Sequence, residues 1–428
     1  MTAHRRLTIG LFGFGVVGEG LYKVLHQTLS LNATIKKICI KDPHKKRNAP
    51  AELFTTDRDE LLNDETINVI VEVINESDAA FQIISIALKN NKAVVSASKK
   101  MIAEHLPEIL RLQQETGMPF LCESSACASI PVIRNLEEYY DNDLLHSLRA
   151  IVNGSTNYIL TKMFENKLDF KTALLEAQQL GFAEANPTLD VDGWDAAHKW
   201  VILLCHAYGI VTTTDNILFT GIQNVNENDA NVGREKNYEI RLVAQAKKLM
   251  NGKIAAFVLP QFVKRDDHLS FVKNEYNGVV IESSFADKQF FYGKGAGSFP
   301  TASAVLSDIS ALRYDYRYEY KKLYHHTPNE LTNDFYVRVY MSFDEWDFIP
   351  REKFEWIEEW HAQEARPDGM AGRGRKYLIA VIHFKHLAEN TWWKQNNTSI
   401  ILAPDPIIED MELRKLKKKS LELAGISQ

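Results

Sequence analysis

The first third of the chain alternates short apolar runs with amphipathic stretches. Leu7–Phe12 reads as a buried strand and Glu19–Leu29 as the helix after it. Thr34–Ile40 reads as a second strand and Asn68–Ile74 as a third or fourth. Ala79–Lys89 follows as a helix, Ala93–Ser96 as a strand and Ile102–Thr116 as another helix. This alternation predicts a parallel sheet with helices on both faces.

After about Leu145 the pattern changes. Ser147–Asn153 reads as a strand, with helices around Asn157–Phe164 and Phe170–Leu180. Asp195–His206 is strongly helical, with Ala196, Ala197, Trp200, Val201 and Leu204 on one broad face. Strands are expected at Ile254–Leu259, Gly278–Glu282 and Gln289–Tyr292. Arg313–His326, dense in Tyr, Arg, Lys and His, reads as a connecting helix or linker. Beyond it the pattern gives a strand (Asp334–Phe343), a helix (Arg351–His361), a Gly-rich turn (Gly369–Gly374) and a strand (Lys376–Phe384). A last strand, Ser399–Leu402, precedes a terminal helix. Five of the seven tryptophans (Trp346, Trp356, Trp360, Trp392, Trp393) fall in this tail, which marks it as a small domain of its own. The expected fold class is α/β: an N-terminal Rossmann domain at 1–145, an α+β catalytic domain at 146–320 and a small C-terminal α+β domain at 330–428.

Charge and cysteine content narrow the function classes. A net charge of -6 over 428 residues argues against a nucleic-acid binder, which carries a basic stripe. The basic cluster Arg414, Lys415, Lys417, Lys418 and Lys419 reads as the solvated face of the terminal helix. Cys39, Cys122, Cys127 and Cys205 form no C-x-x-C pair, which points to reduced thiols and a cytoplasmic location. No run of about 18 apolar residues occurs, so neither a signal peptide nor a membrane span is expected.

Gly13-Phe14-Gly15-Val16-Val17-Gly18 stands between the first strand and the first helix. In that context the first glycine allows a tight turn, the second lets backbone approach a pyrophosphate and the third permits close helix–strand packing. The helix N-terminus then offers N–H groups to the phosphates. A plain structural turn is the alternative. At the end of the second strand, Lys41 tilts the cofactor toward NADP, which a basic residue there accommodates, while Asp42 keeps NAD open. Lys45, Lys46 and Arg47 follow.

Three further blocks carry the substrate argument. Asn153-Gly154-Ser155-Thr156-Asn157-Tyr158 is a strand end running into a helix start, suited either to an anionic group such as a carboxylate or to simple capping. Gly181 to Lys199 holds Glu184, Asp190 and Asp192 in a loop, then Asp195 and Lys199 spaced i, i+4 on a helix. Such a pair is a surface salt bridge when exposed, and a proton donor or acceptor when partly desolvated. Tyr292 to Val305 is a second glycine-rich loop with Gly297, leading into a helix of small residues suited to tight packing.

In this order the blocks resemble homoserine dehydrogenase, monofunctional and with a C-terminal extension. That family's pattern is a glycine fingerprint, then T-A-N-K, N-G-T-T-N-Y-I-L, G-[YF]-A-E-A-D-P-T-x-D-V-x-G-x-D-A-A-x-K and G-x-G-A-G-x-x-P-T-A-S-A-V. The resemblance covers roughly Leu7 to Ala311. It implies NAD(P)-dependent interconversion of L-homoserine and L-aspartate 4-semialdehyde on the route to threonine, isoleucine and methionine. By the same match Lys199 is the proton donor, Asp195 positions it or shares the proton path, and Lys99 sits where cofactor and substrate meet. Glu184 binds the substrate amino group, with Asp190 and Thr156 beside it, and Gly297 lies near the cofactor. The resemblance also implies a monovalent cation such as sodium, held by Glu123, Ala126, Ala128 and Ile130, and a homodimer or higher homo-oligomer. No aspartate kinase portion is expected ahead of the first strand.

Three departures stand out: T-A-N-K is Ser96-Ala97-Ser98-Lys99, the Gly pair before I-P is Ala128-Ser129, and E-A-D-P-T is E-A-N-P-T with Asn186. For the tail, an ACT-like or ferredoxin-like regulatory module, with threonine feedback, and a packing or dimer-supporting appendage are both open. The usual Gly after the first strand of an ACT domain is replaced by Asp344-Glu345-Trp346-Asp347.

Overall fold

Leu7, Ile9, Leu11, Val69, Ile70, Val71, Val94 and Val95 are each at most 1% exposed. Strands buried on both faces need helices on both sides, and that is the layering these residues enter. The computed structural model describes residues 6–141, 144–325, 327–344, 349–362, 376–394 and 398–423. Two compact units are present. The first combines Met1–Leu145, His198–Thr214 and Phe291–Pro328; the second combines His146–Ala197, Asp215–Phe290 and Asn329–Gln428.

The first unit is built on β1 (Leu7–Phe12), β2 (Ala33–Cys39), β3 (Phe54–Thr55), β4 (Val69–Glu72), β5 (Ala93–Ser96) and β6 (Phe120–Leu121). Their order is β3-β2-β1-β4-β5-β6, and every pairing is parallel. This is the strand order of dinucleotide-binding folds, which place ligands at the C-terminal edge where the order reverses. The helix Ser298–Leu312 lies along the first helix, Val16–Gln27. A Cβ on Gly20 would stand 2.5 Å from Ser298 Oγ, so the small residues expected to allow tight packing do so here.

The second unit carries β7 (Leu145–Ile151), β8 (Leu218–Phe219), β9 (Tyr238–Lys248), β10 (Ile254–Lys264), β11 (Tyr276–Ser283) and β12 (Asp287–Lys294). Its tail adds β13 (Tyr336–Ser342), β14 (Phe354–Ala362), β15 (Lys376–His383) and β16 (Ser399–Ile408). All but β8 follow one path, β12-β11-β7-β9-β10-β16-β13-β15-β14, and β8 pairs with β10. Within the tail, β16-β13-β15-β14 is the fourth, first, third and second strand, an order shared with ferredoxin-like βαββαβ units.

Three expectations change. Arg351–His361 is not a helix: a single 3-10 turn, Arg351–Lys353, leads into β14. Register shifts between Phe354 and Trp356 and between Ile357 and Glu359 break the two-residue alternation, so the aromatic spacing imitates a helix. Strand β9 was not anticipated because it buries polar residues; Arg241 is 0% exposed and pairs with Glu239 at 2.5 Å. The described part of the expected helix or linker Arg313–His326 is neither an α-helix nor a loose linker, and it ends in a 3-10 turn, Lys321–Tyr324. Tyr318, Tyr320 and Lys322 point inward while Arg317, Glu319 and Lys321 are exposed, a two-residue alternation that makes a buried strap. The expected turn Gly369–Gly374 lies outside the described residues.

The strap ends on a buried ion cluster. Lys322 Nζ donates to His206 O at 2.8 Å and to Leu136 O, carbonyls in the last turns of the helices Trp194–Tyr208 and Val132–Glu138. His206 Nδ1 meets Glu137 Oε1 at 2.7 Å, and Glu137 Oε2 accepts from the Tyr320 N–H. Burial lowers the Lys322 pKa from 10.5 to about 8, against the opposing charges of Glu137 and Asp141. Between those values the unfolded chain holds a proton that the folded chain has released, so this group adds stability as pH rises. The stability advantage of the wild type over Lys322→Met should therefore grow between about pH 8 and pH 10 in urea titrations. A gap that stays constant or shrinks over that range would contradict the assignment.

Candidate active site

The fingerprint turn follows from backbone sterics. Gly13 has φ +97°, and a Cβ there would stand 2.8 Å from Val73 O. A Cβ on Gly18 would come within 2.2 Å of Gly13 O, so the first helix can start this close to β1 only if that residue is glycine. Gly15 has nothing within 4 Å, leaving the approach to the helix N-terminus open on that side. Phe14 is buried against Tyr22 and Phe54, Val16 is 69% exposed, and Val17 is half-buried. Ser298 Oγ donates to Val16 O at 2.7 Å, which brings the second glycine loop, with Gly297 at φ +116°, onto the fingerprint.

Beyond β2 a cleft of about 480 Å³ is lined by residues including Pro43, Lys45, Arg47 and Phe54. Lys41, the residue that tilted the reading toward NADP, is exposed and is not among the lining residues. The basic groups at the cleft are Lys45 and Arg47, the latter with its guanidinium 5.6 Å from the Phe54 ring. Lys99 is half-buried and opens the short helix Lys99–Glu104 directly after β5.

In the second unit one carboxamide organises the substrate block. Asn153 caps the helix Gly154–Glu165, its Oδ1 accepting the Thr156 N–H at 2.8 Å. Its Nδ2 donates to Asp190 Oδ1 at 2.7 Å and to Asp195 Oδ2 at 2.8 Å. Of the two alternatives above, the cap is thus present, and the carboxamide nitrogen is used by two of the chain's own aspartates. Asp195 opens the helix Trp194–Tyr208, which also carries Lys199; the two residues are 5% and 6% exposed. Charged groups buried to this degree are costly unless hydrogen-bonded, so their placement is not that of an ordinary surface pair.

Thr156 is also buried, and its hydroxyl donates to Asn153 O at 3.1 Å. Glu184 is exposed. The loop bearing Asp190 is clamped from the far side, where a Cβ on Gly221 would stand 1.7 Å from Val191 O. Asn186 Oδ1 accepts from the Thr188 hydroxyl at 2.7 Å, a local role that a carboxamide fills as well as the family's aspartate.

Glu123 is 2% exposed and accepts the N–H groups of Ile133 and Arg134 at 2.8 and 2.9 Å. Its own N–H donates to Asp308 Oδ2, and Asp308 Oδ1 meets Arg134 Nη2 at 2.9 Å. Burial pushes both carboxyl groups upward, Asp308 to about 8 with Glu123 adding to the effect. Ser124 Oγ is buried beside Glu123 without a partner, and Ala128 holds φ +44°, ψ -106° where the family has glycine. That conformation costs a non-glycine residue on the order of 1–3 kcal/mol. A buried carboxylate next to an orphaned hydroxyl oxygen is a donor set that fits a hard monovalent cation.

A parallel sheet with a glycine turn at its ligand edge, together with a buried lysine–carboxylate helix, defines a nicotinamide-dependent dehydrogenase. Comparison with known proteins makes this specific. The family model for the homoserine dehydrogenase NAD binding domain matches residues 13–123, and that for homoserine dehydrogenase matches residues 131–310. Homoserine dehydrogenase of Bacillus subtilis (strain 168) is 36% identical over 322 residues, 73% of this chain and 74% of that protein. The Helicobacter pylori enzyme is 37% identical over 71% and 73%. A solved homoserine dehydrogenase from Thiobacillus denitrificans, 26% identical, superposes with a TM-score of 0.80 over 93% of this chain and 98% of that one. A hyperthermophilic archaeal homoserine dehydrogenase solved with NADPH gives 0.62 at 28% identity, over 73% and 99%. The chain belongs to the homoserine dehydrogenase family. It is an NAD(P)-dependent oxidoreductase interconverting L-homoserine and L-aspartate 4-semialdehyde on the route to threonine, isoleucine and methionine.

The two roles of Asn153 can be separated. Asn153→Asp keeps an oxygen for the Thr156 cap but removes the donor shared by Asp190 and Asp195. The substitution leaves Asp190 and Asp195 facing a third carboxylate in place of a donor, which costs about 1–3 kcal/mol, so thermal stability should drop and kcat/KM should fall roughly tenfold to a hundredfold. Unaltered steady-state kinetics would show that the carboxamide is only a cap.

Proposed function

We propose that Lys199 gives the proton to the aldehyde oxygen of the semialdehyde and takes it back from the homoserine hydroxyl in the reverse direction. The bound nicotinamide supplies or accepts the hydride. Asp195, fixed by Asn153, holds the Lys199 ammonium in register, while Lys99 lies at the junction of cofactor and substrate. Glu184 takes the substrate amino group, and Asp190 and Thr156 shape the pocket around it. Gly13 to Gly18 and Gly297 cradle the nucleotide, whose pyrophosphate meets the N–H groups of the helix Val16–Gln27. The burial of Lys199 on the helix that Asp195 opens is the observation carrying this reading.

NADP is the preferred cofactor in this reading. The basic pair Lys45 and Arg47 beside β2 suits a ribose 2′-phosphate, with Lys41 at the strand end. Glu123 would hold a sodium-like cation, with carbonyl oxygens of Ala126, Ala128 and Ile130, and that charge would offset the burial of its carboxylate. The active form is a cytoplasmic homodimer or higher homo-oligomer, and the domain boundaries at 145 and 320–330 are kept as its organisation.

Two assays test these roles. Homoserine-dependent reduction should be faster with NADP than with NAD, and Lys199→Ala should lower kcat by roughly 10²–10⁴-fold. Full activity in that variant, or no homoserine-dependent turnover with either cofactor, would refute the reading. For the cation, activity in a buffer whose only cation is a bulky organic ammonium should rise on adding sodium chloride, and Glu123→Gln should abolish the response. A wild type indifferent to sodium would remove the cation from the account.

A further inference from the structure

One fully buried acid in the first unit has no part in the chemistry above. Glu72 ends β4 at the ligand edge of the parallel sheet, is 0% exposed and pairs in register with Ser96 of β5. Its Oε1 accepts the Ile74 N–H at 2.7 Å and lies 2.8 Å from Ser98 Oγ. Its Oε2 accepts from Ser96 Oγ at 2.6 Å. The carboxyl group thereby ties the loop after β4 to the loop after β5. Both loops matter for the nucleotide: Val73 O and Ile74 Cγ2 are the atoms a Cβ on Gly13 would strike, and Ser98 immediately precedes Lys99.

Counting hydrogens fixes the state of this acid. The Ser96 hydroxyl oxygen receives the Ser98 N–H at 3.1 Å, and its own hydrogen goes to Glu72 Oε2. The Ser98 hydroxyl has one hydrogen but two acceptors, Glu72 Oε1 and Ile74 O, each at 2.8 Å. Were Glu72 ionised, one of these close oxygen pairs would have no hydrogen between them. A proton on Oε1 satisfies all: Glu72 donates to Ser98 Oγ, and Ser98 donates to Ile74 O. Ser98, although it starts the helix Lys99–Glu104, makes no side-chain cap there because its hydroxyl is used in this chain.

We propose that Glu72 is a positioning residue that, as a neutral acid, locks the two loops flanking the nucleotide through the chain Glu72–Ser98–Ile74. The family's T-A-N-K segment departs to Ser96-Ala97-Ser98-Lys99 at the two positions that bind this acid. Burial, which raises its proton affinity, and its three hydrogen bonds are the influences acting on it; no charged side chain is among them. The importance of the lock to catalysis rests on the dehydrogenase reading above; the protonation state does not.

Infrared spectroscopy of the intact protein at neutral pH reads that state directly. The wild type minus Glu72→Gln difference spectrum should contain the carbonyl-stretch band of a protonated carboxyl group. Its absence, with carboxylate bands in its place, overturns the proposal. Fluorescence titration with NADPH reads the lock: Glu72→Ala, which leaves the Ser96 hydroxyl and the Ile74 N–H without their acceptor and unties Ser98 from β4, should weaken binding roughly tenfold or more. Glu72→Gln, whose amide can keep the Ser96 and Ser98 bonds but cannot accept the Ile74 N–H, should weaken it less than Glu72→Ala does. Wild-type affinity in Glu72→Ala overturns the positioning role. Both readouts need no turnover, so a chain that binds NADPH but does not oxidise homoserine would refute the dehydrogenase reading and leave this one standing.

Discussion

The nucleotide site depends on a contact in which no side chain takes part. The start of the first helix lies against the carbonyl of Gly13, and a Cβ on Gly18 would sit 2.2 Å from that oxygen. This closeness lets the helix N-terminus, with its unpaired N–H groups, stand at the edge where β1 and β4 part. Gly13 in turn abuts the carbonyl of Val73, and Ile74 beyond it is held by Glu72. Sterics at two glycines and one buried acid therefore set the geometry of the ligand edge.

The substrate block is built differently, from polar groups that satisfy one another. Asn153 uses its oxygen for a helix cap and its nitrogen for two aspartates, so the start of one helix is tied to the residue that opens another. The desolvated Asp195 carboxylate is tolerated because it is hydrogen-bonded. A single carboxamide thus links the cap of one helix to the first turn of the helix that carries Asp195 and Lys199.

Much of this was legible in the chain because it rests on local rules. Alternating apolar runs gave the parallel sheet, the glycine spacing gave the turn, and the long signature ending at Lys199 gave the family. What escaped depended on tertiary partners. Arg241 and Glu239 neutralise each other inside β9, which hid that strand from an apolar pattern. Bulges in β14 turned its alternation into a false helical spacing. The strap at Tyr318, Tyr320 and Lys322 looked like a charged linker because its lysine is held by carbonyls of two helices distant in sequence. Likewise the strand end does not reveal which basic residues line the cleft beyond it, where Lys45 and Arg47 stand and Lys41 does not.

The central claim is direct hydride transfer between homoserine and a nicotinamide bound at the glycine edge. Homoserine carrying deuterium at its hydroxyl-bearing carbon tests it most directly, with the reduced cofactor analysed by mass spectrometry after turnover. The account predicts reduced NADP carrying one deuterium per molecule. Reduced cofactor without the label would contradict it.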